Sequence, residues 1–295
     1  MKRRRCIQVA RLELTVETPV YIGSRFGVLY PMEFIYSNGR TYVVNEEKLG
    51  KILHERGLLE KFIQQTYSGD LSRRGLGWFL SRELREVKPE NYASYFVRGG
   101  NARLTRFRPF VRDGQNNIYL PGTSIKGAIR TAVLYSFLKK NPGNWEKRVE
   151  GWIDELQKKR ARGKAKKRDE VELSLDMQRE LLQSFPLPWS SSARHQNRDI
   201  FRCLIVRDAY PAENQFDVRL VPVKFLCKRE EDKFYWSSGT LGSGDLEVWI
   251  EAIVSGMFVC EIAWDETLFE AFRKENRDLP VNSFKEVFDS LLHSV

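Results

Sequence analysis

The chain has 295 residues, 42% of them hydrophobic and 30% charged, which is enough apolar content to bury a core in one large domain or two ordinary ones and excludes general disorder. Its 49 Lys and Arg against 39 Asp and Glu give a formal charge of +10, which favours an acidic partner such as nucleic acid or an anionic membrane surface. The four cysteines are too far apart to suggest a zinc site, and no apolar run reaches membrane-spanning length, so a reduced cytoplasmic protein with no membrane partner is expected.

Met1 to Arg5 carry the charge of a signal-peptide start, but no apolar block follows. Residues 7–16 alternate instead, with Leu12, Leu14 and Val16 on one side and Arg11, Glu13 and Thr15 on the other, the period of a half-buried strand. Met32 to Tyr36 and Thr41 to Val44 flank Asn38-Gly39, which predicts a hairpin. From Glu46 to Gln65, Leu49, Ile52, Leu53, Leu59, Phe62 and Ile63 recur at helical spacing, although Gly57 weakens the middle. A further helix is expected over residues 76–86.

Residues 98–116 read as an exposed basic loop, because Gly99-Gly100 and Pro109 interrupt regular structure there. Arg98, Arg103, Arg106, Arg108 and Arg112 are interleaved with Phe107 and Phe110. Arginine beside aromatic rings can hold phosphates and stack on bases at once, as single-stranded nucleic acid requires. Equally, the phenylalanines can anchor the loop to a core while the arginines face water.

The stretch Ile118 to Arg130 is the most informative in the chain. Ile118 and Leu120 end a strand, Pro121-Gly122 breaks it, and Thr123 or Ser124 can cap the helix that follows. Free N–H groups at such a helix start attract anions. Lys126 and Arg130, four apart, share a face beside it, while Ile125, Ala128, Ile129 and Ala132 can pack inward. The arrangement suits a polyphosphate backbone, and the alternative, two cations on the solvated side of an amphipathic helix, stays open.

Between residues 145 and 185, Trp145, Val149, Trp152, Ile153 and Leu156 predict a helical insertion, with the basic run Lys158 to Arg168 as its tip and Phe185 to Ser192 as a linker. Strands are then expected at Phe201 to Val206, Phe216 to Leu226, Leu246 to Ile253 and Met257 to Trp264, the last two joined as a hairpin by Ser255-Gly256. Helices near 266–275 and 282–292 close the chain. The order of elements predicts an α+β architecture.

Thr18-Pro19-Val20-Tyr21-Ile22-Gly23-Ser24, Pro121 to Arg130, and Leu204-Ile205-Val206-Arg207-Asp208 occur in an order that resembles the RAMP superfamily of CRISPR effector subunits. Within it, the spacing is most similar to the terminal backbone subunit of type III-A (Csm) complexes. The resemblance implies a ferredoxin-like or RRM-like module over residues 1–140, a basic helical insertion and linker over 141–198, and a second, degenerate module over 199–295. It implies guide RNA and a neighbouring RAMP backbone subunit as partners, admits host nucleases as further ones, and implies a role in complex assembly and guide RNA maturation with no cofactor. Gly122, Ser124, Lys126 and Arg130 match the family's phosphate-facing positions, with Thr123 and Gly127 between them. Gly23, Ser24 and Arg25 would sit nearby, and Arg98, Arg103, Arg106 and Arg108 complete the expected RNA-binding set. One departure is that the glycine-rich loop many members carry near the C-terminus is matched here only by Gly239 to Gly244, about fifty residues earlier than the end.

No catalytic or metal-binding set is expected. RAMP subunits that cut target RNA use an aspartate in the loop after the first strand, and here Gly23 to Met32 contains no carboxylate, Glu33 being the first. His54 is the sole candidate for the general base of a metal-independent repeat endoribonuclease. Gly122 to Gly127 lacks the spacer and Lys-Ser/Thr ending of a P-loop, and Asp208 has no spaced carboxylate to share a metal, with Arg207 as its local partner. A third alternative is a scaffold protein without specific RNA binding.

Overall fold

The computed structural model describes residues 6–25, 27–140, 142–163, 178–187, 195–212, 215–228, 234–237 and 248–276, together with Leu175, Glu286 and Asp289. In chain order its elements are strands β1 (Ile7–Val16), β2 (Phe34–Ser37) and β3 (Arg40–Val44), helices α1 (Glu46–Glu55), α2 (Leu59–Tyr67), α3 (Asp70–Arg74) and α4 (Leu76–Glu83), and strands β4 (Ala93–Gly99) and β5 (Phe107–Arg108). Helices α5 (Gly122–Lys140) and α6 (Pro142–Ala161) follow, then strands β6 (Leu204–Val206), β7 (Tyr210–Pro211), β8 (Asp217–Val223), β9 (Phe225–Lys228), β10 (Phe234–Ser237) and β11 (Val248–Asp265), and helix α7 (Glu266–Glu275). The class is α+β, as the sequence predicts.

The chain forms two units that are interleaved in sequence: a helical unit of residues 1–13, 121–209 and 259–295, and a sheet unit of residues 14–120 and 210–258. In the sheet unit the strand order is β11–β8–β4–β3–β2. β4 and β8 run parallel, the other neighbours in that order antiparallel, and β5 lies parallel to β11. Alternation decides the two faces. Ile35 and Tyr42 join Leu49, Leu53, Leu71, Leu76, Phe79 and Leu80 in one core, while Phe34 and Val97 join Leu29, Leu104, Phe107 and Leu220 in the other. Asn45 starts α1 by accepting from the Lys48 N–H at 2.9 Å.

The helical unit packs Val133 and Leu134 of α5 against Leu181, Leu182, Phe185, Ile200, Phe201, Cys203 and Leu204, with Trp264, Phe269 and Phe272 completing the core. β6 pairs antiparallel with Ile262–Trp264 of β11. Asp265 caps α7 through the Leu268 N–H at 2.9 Å.

Three expectations are corrected. The helix expected from Glu46 to Gln65 is two helices, because Gly57 adopts φ +66° and turns the chain between them. The hairpin expected at Ser255-Gly256 is a continuous strand: its first half pairs with β8 and its last residues with β6, so no reversal is needed. Gly256 sits at φ +137°, where a Cβ would come within 2.6 Å of Phe216 Cβ, and the glycine serves this close packing instead of a turn. The strand expected at Phe201 to Val206 opens with a 3-10 turn over Ile200–Cys203. The helix expected at 282–292 lies outside the described residues except for Glu286 and Asp289, and Gly239 to Gly244 and the tip residues 164–168 lie outside them entirely.

Candidate nucleic-acid interface

In the helical unit the expected corner is built, with a different cap. The Pro121 carbonyl accepts from the Ser124 and Ile125 N–H groups at 2.9 and 3.1 Å, so α5 begins at Gly122. Thr123 and Ser124 are not its cap; the Asp208 carboxylate accepts from the Gly122 N–H at 2.7 Å. That N–H is therefore engaged and not free, and Asp208 belongs to the corner. Arg207 pairs with Glu261 at 3.2 Å instead of serving Asp208. A Cβ on Gly122 would lie 2.3 Å from the Val206 carbonyl oxygen, so only glycine lets the helix start approach the end of β6 this closely.

The two cations of the corner also have partners. Lys126 Nζ donates to the Leu204 carbonyl at 2.6 Å. Burial pulls its ammonium below the usual lysine range, and Asp199 pushes it back up. Arg130 pairs with Asp199 at 2.7 Å and lies 5.2 Å from the centre of the Phe201 ring. Asp199 accepts in addition from Gln183 Nε2 at 3.0 Å and from the Phe201 N–H at 2.9 Å. Thr123 and Gly127 are exposed, and a Cβ on Gly127 would meet nothing within 4 Å.

The sheet unit brings two separate clusters together. Gly23 bridges Phe110, the Ser24 N–H donates to the Pro109 carbonyl at 3.1 Å, and the Val111 N–H donates to the Ile22 carbonyl at 2.9 Å. The glycine-serine turn is thus stitched to the arginine-bearing segment. Phe107 and Phe110 are buried, so the phenylalanines do anchor this segment; Arg108 and Arg25 are exposed and Arg106 is half-buried. Arg103 is exposed on a turn in which its N–H donates to Asn101 Oδ1 at 2.8 Å. Arg98 belongs to β4 and pairs with Asp217 at 2.7 Å.

Arg112 departs from its expected company. Its guanidinium pairs with the fully buried Glu251, donates to the Asn116 carbonyl at 2.8 Å and covers the Tyr95 ring at 3.7 Å from its centre. Glu251 also accepts from the Phe110 N–H at 3.0 Å. Burial pushes the Glu251 carboxyl up, while Arg112 and the Phe110 N–H pull it back down. The pair fixes residues 110–112 from beneath. A lone glutamate inside the apolar run Val248 to Val254 is the one signal that could have pointed to it.

A cavity of about 610 Å³ in the sheet unit is walled mainly by apolar side chains, among them Leu29, Met32, Leu53, Phe62 and Phe110, with Glu33, Arg112 and Asp113 at its polar parts. His54 is exposed in the last turn of α1, with no acid or base hydrogen-bonded to its ring among the described residues. No cluster of three or more His, Cys, Asp or Glu suited to a metal ion occurs among the described residues, and none of their helices is long and apolar enough to cross a membrane.

A model of the RAMP superfamily matches residues 13–287. Two curated CRISPR proteins named Csm5 are similar: that of Enterococcus italicus is 26% identical, the match covering 43% of this chain and 43% of the relative. That of Streptococcus thermophilus is 29% identical over 45% of this chain and 40% of the relative. The matched part is less than half the length of these relatives. Among solved structures, Csm5 of T. onnurineus resembles the fold with a TM-score of 0.56 at 23% identity, covering 93% of this chain and 76% of that one. A chain of a Csm–crRNA–target RNA ternary complex from a type III-A system gives a TM-score of 0.53 at 21% identity, covering 92% and 67%. At such identities the structural likeness is one of fold.

Proposed function

We propose, since this chain belongs to the RAMP superfamily, that it is a non-catalytic guide-RNA-binding subunit which caps the backbone of a type III-A CRISPR effector complex near the 3′ part of the guide. It holds RNA through phosphates and stacked bases, docks on a neighbouring RAMP backbone subunit in a cytoplasmic ribonucleoprotein, and takes part in complex assembly and guide maturation, where host nucleases are further partners. The likeness to the two Csm5 proteins and to a chain of a Csm–crRNA complex supports this reading.

The observation that carries it is the stitching of the Ile22–Ser24 turn to Pro109–Val111. Gly23 and Ser24 offer a close backbone approach, Arg25, Arg103, Arg106 and Arg108 offer guanidinium groups on and beside an anchored segment, and Arg98 extends the set along β4. In the corner, exposed Thr123 and Gly127 form the surface presented to RNA, and Gly122, Ser124, Lys126 and Arg130 build and charge it. Lys126 reaches a phosphate by exchanging the Leu204 carbonyl for it.

Single-stranded RNA binding measured across a salt series tests the reading. Arg106→Gln with Arg108→Gln is expected to weaken binding for all sequences alike and to flatten the slope by about 0.7 per lost phosphate contact. An unchanged slope counts against this surface. Incubation with repeat RNA, with and without EDTA, is expected to give no discrete products; products abolished by His54→Ala would establish a nuclease instead.

A further inference from the structure

We propose that Arg40, Arg98 and Arg219 form a phosphate-binding row across three strands of the sheet unit, gripping one strand of RNA; the proposal rests on the RNA-binding reading above and adds a site to it. The row is a product of register. Arg40 on β3 is the direct partner of Arg98 on β4, and Arg98 is the direct partner of Arg219 on β8. Neighbouring strands lie about 4.8 Å apart, so the three positions fall on a line of roughly 10 Å. All three point to one side: the residues beside them, Thr41, Val97 and Leu220, are buried on the opposite one.

Like charges directly opposite one another destabilise a sheet, and here two such pairs occur in succession. Neutral residues bound the row, since Ser37 is the partner of Arg40 on β2 and Ala252 the partner of Arg219 on β11. A single carboxylate, Asp217, serves two of the arginines, accepting from Arg98 at 2.7 Å and from Arg219 at 2.6 Å. Arg40 lies over the Phe96 ring, 4.5 Å from its centre, and makes no ion pair among the described residues. Glu90 also feels the Arg40 charge: it accepts from the Tyr42 hydroxyl at 2.8 Å, and Arg40 acts on that same hydroxyl.

Three guanidinium groups against two carboxylates, Asp217 paired directly and Glu90 acting on Arg40, leave positive charge that the fold does not neutralise. The side chains of Arg98 and Arg219 are 61% and 56% exposed, so the charge is offered to solvent. Planar guanidiniums bind phosphate oxygens in bidentate fashion, and a line of them fits a chain whose negative charges recur at short, regular intervals. Phe96, 45% exposed, holds the Arg40 plane and leaves a ring surface beside the row. An acidic protein segment could also meet three cations, but it has no need of their even spacing or of the adjacent ring.

The test uses the full chain and labelled single-stranded RNA in a salt series, with thermal melting of each variant to establish folding. Arg40→Gln with Arg219→Gln is expected to weaken binding roughly tenfold at low salt and to flatten the salt slope by about 1.4, while Arg40→Lys with Arg219→Lys keeps the slope. Asp217→Asn removes the competing carboxylate and is expected to tighten binding roughly threefold. A row that serves only as a surface ion-pair network gives the opposite pattern, with RNA affinity unmoved by either change, and that result overturns the proposal. So does a Gln double variant that keeps its RNA slope but loses binding to poly-glutamate, which would identify an acidic protein partner. Failure of the unaltered chain to bind any RNA would overturn the parent reading, and is distinguishable because it appears before any substitution is made.

Discussion

The Pro121–Arg130 corner and the arginine row both set cations on regular structure, yet their charges are satisfied differently. In the corner Asp208 holds the Gly122 N–H, Leu204 holds Lys126, and Asp199 holds Arg130. On the sheet, Arg40, Arg98 and Arg219 have one directly paired carboxylate among them, Asp217. A largely covered cation with its own counter-group, such as Arg130, works chiefly for the fold; an exposed one whose counter-group is shared, such as Arg98 or Arg219, is available to a ligand. Counting acceptors separates these cases where a motif of basic residues beside a helix start does not.

That contrast can be broken or sharpened by substitution. The largest effect is expected where internal pairing is most complete: Glu251→Ala leaves Arg112 buried without a counter-charge and is expected to cost about 3–5 kcal/mol in a denaturant titration. Glu251→Gln, which keeps an acceptor for the Phe110 N–H, should cost less. In the corner, Asp199→Ala removes the acceptor of Arg130, Gln183 and the Phe201 N–H together, and an expected loss of about 1.5–3 kcal/mol is measurable by the same titration. Asp208→Ala is expected to cost about 1 kcal/mol as a lost cap and, by freeing the Gly122 N–H, to strengthen RNA binding. If the stability falls and the affinity stays flat, the corner is scaffold alone.

The row should behave in the reverse sense. Arg219→Ala is expected to change stability by at most about 1 kcal/mol while lowering the salt slope of RNA binding. A smaller effect again concerns pH. Because burial lowers the Lys126 pKa, the folded chain releases that proton before the unfolded chain does, and stability rises as pH climbs from the lowered value towards the ordinary 10.5. Lys126→Met should flatten that rise in melting curves taken across the alkaline range.

Local pattern carried much of this. Alternation over residues 7–16 marked β1, Asn38-Gly39 marked the β2–β3 turn, and the recurrence of Leu49, Ile52 and Leu53 marked α1. The Pro-Gly break marked the start of α5. What stayed hidden depends on distance along the chain: Asp208 lies 86 positions from Gly122, and Asp199 lies 69 from Arg130. Periodicity reports which residues share a face of one element, never which residue of another element faces them. The row of arginines was invisible for that reason, since Arg40 and Arg219 become neighbours of Arg98 only through cross-strand register. The continuity of β11 was hidden because Ser255-Gly256 has the composition of a turn, and only its two different partners reveal that the strand runs on.

β11 supplies residues to both units, and this constrains how the polypeptide is made. Neither unit can be completed on the ribosome until its final strand has been synthesised, although α1 to α4 are finished long before. Arg98 and Asp217, which meet across β4 and β8, are 119 positions apart, a gap on the order of ten seconds of translation. During that interval Leu220, Val218 and Trp249 are still missing from the core that holds Phe34 and Val97, so a fragment ending before β8 leaves that core incomplete while the one under α1 to α4 already has its residues.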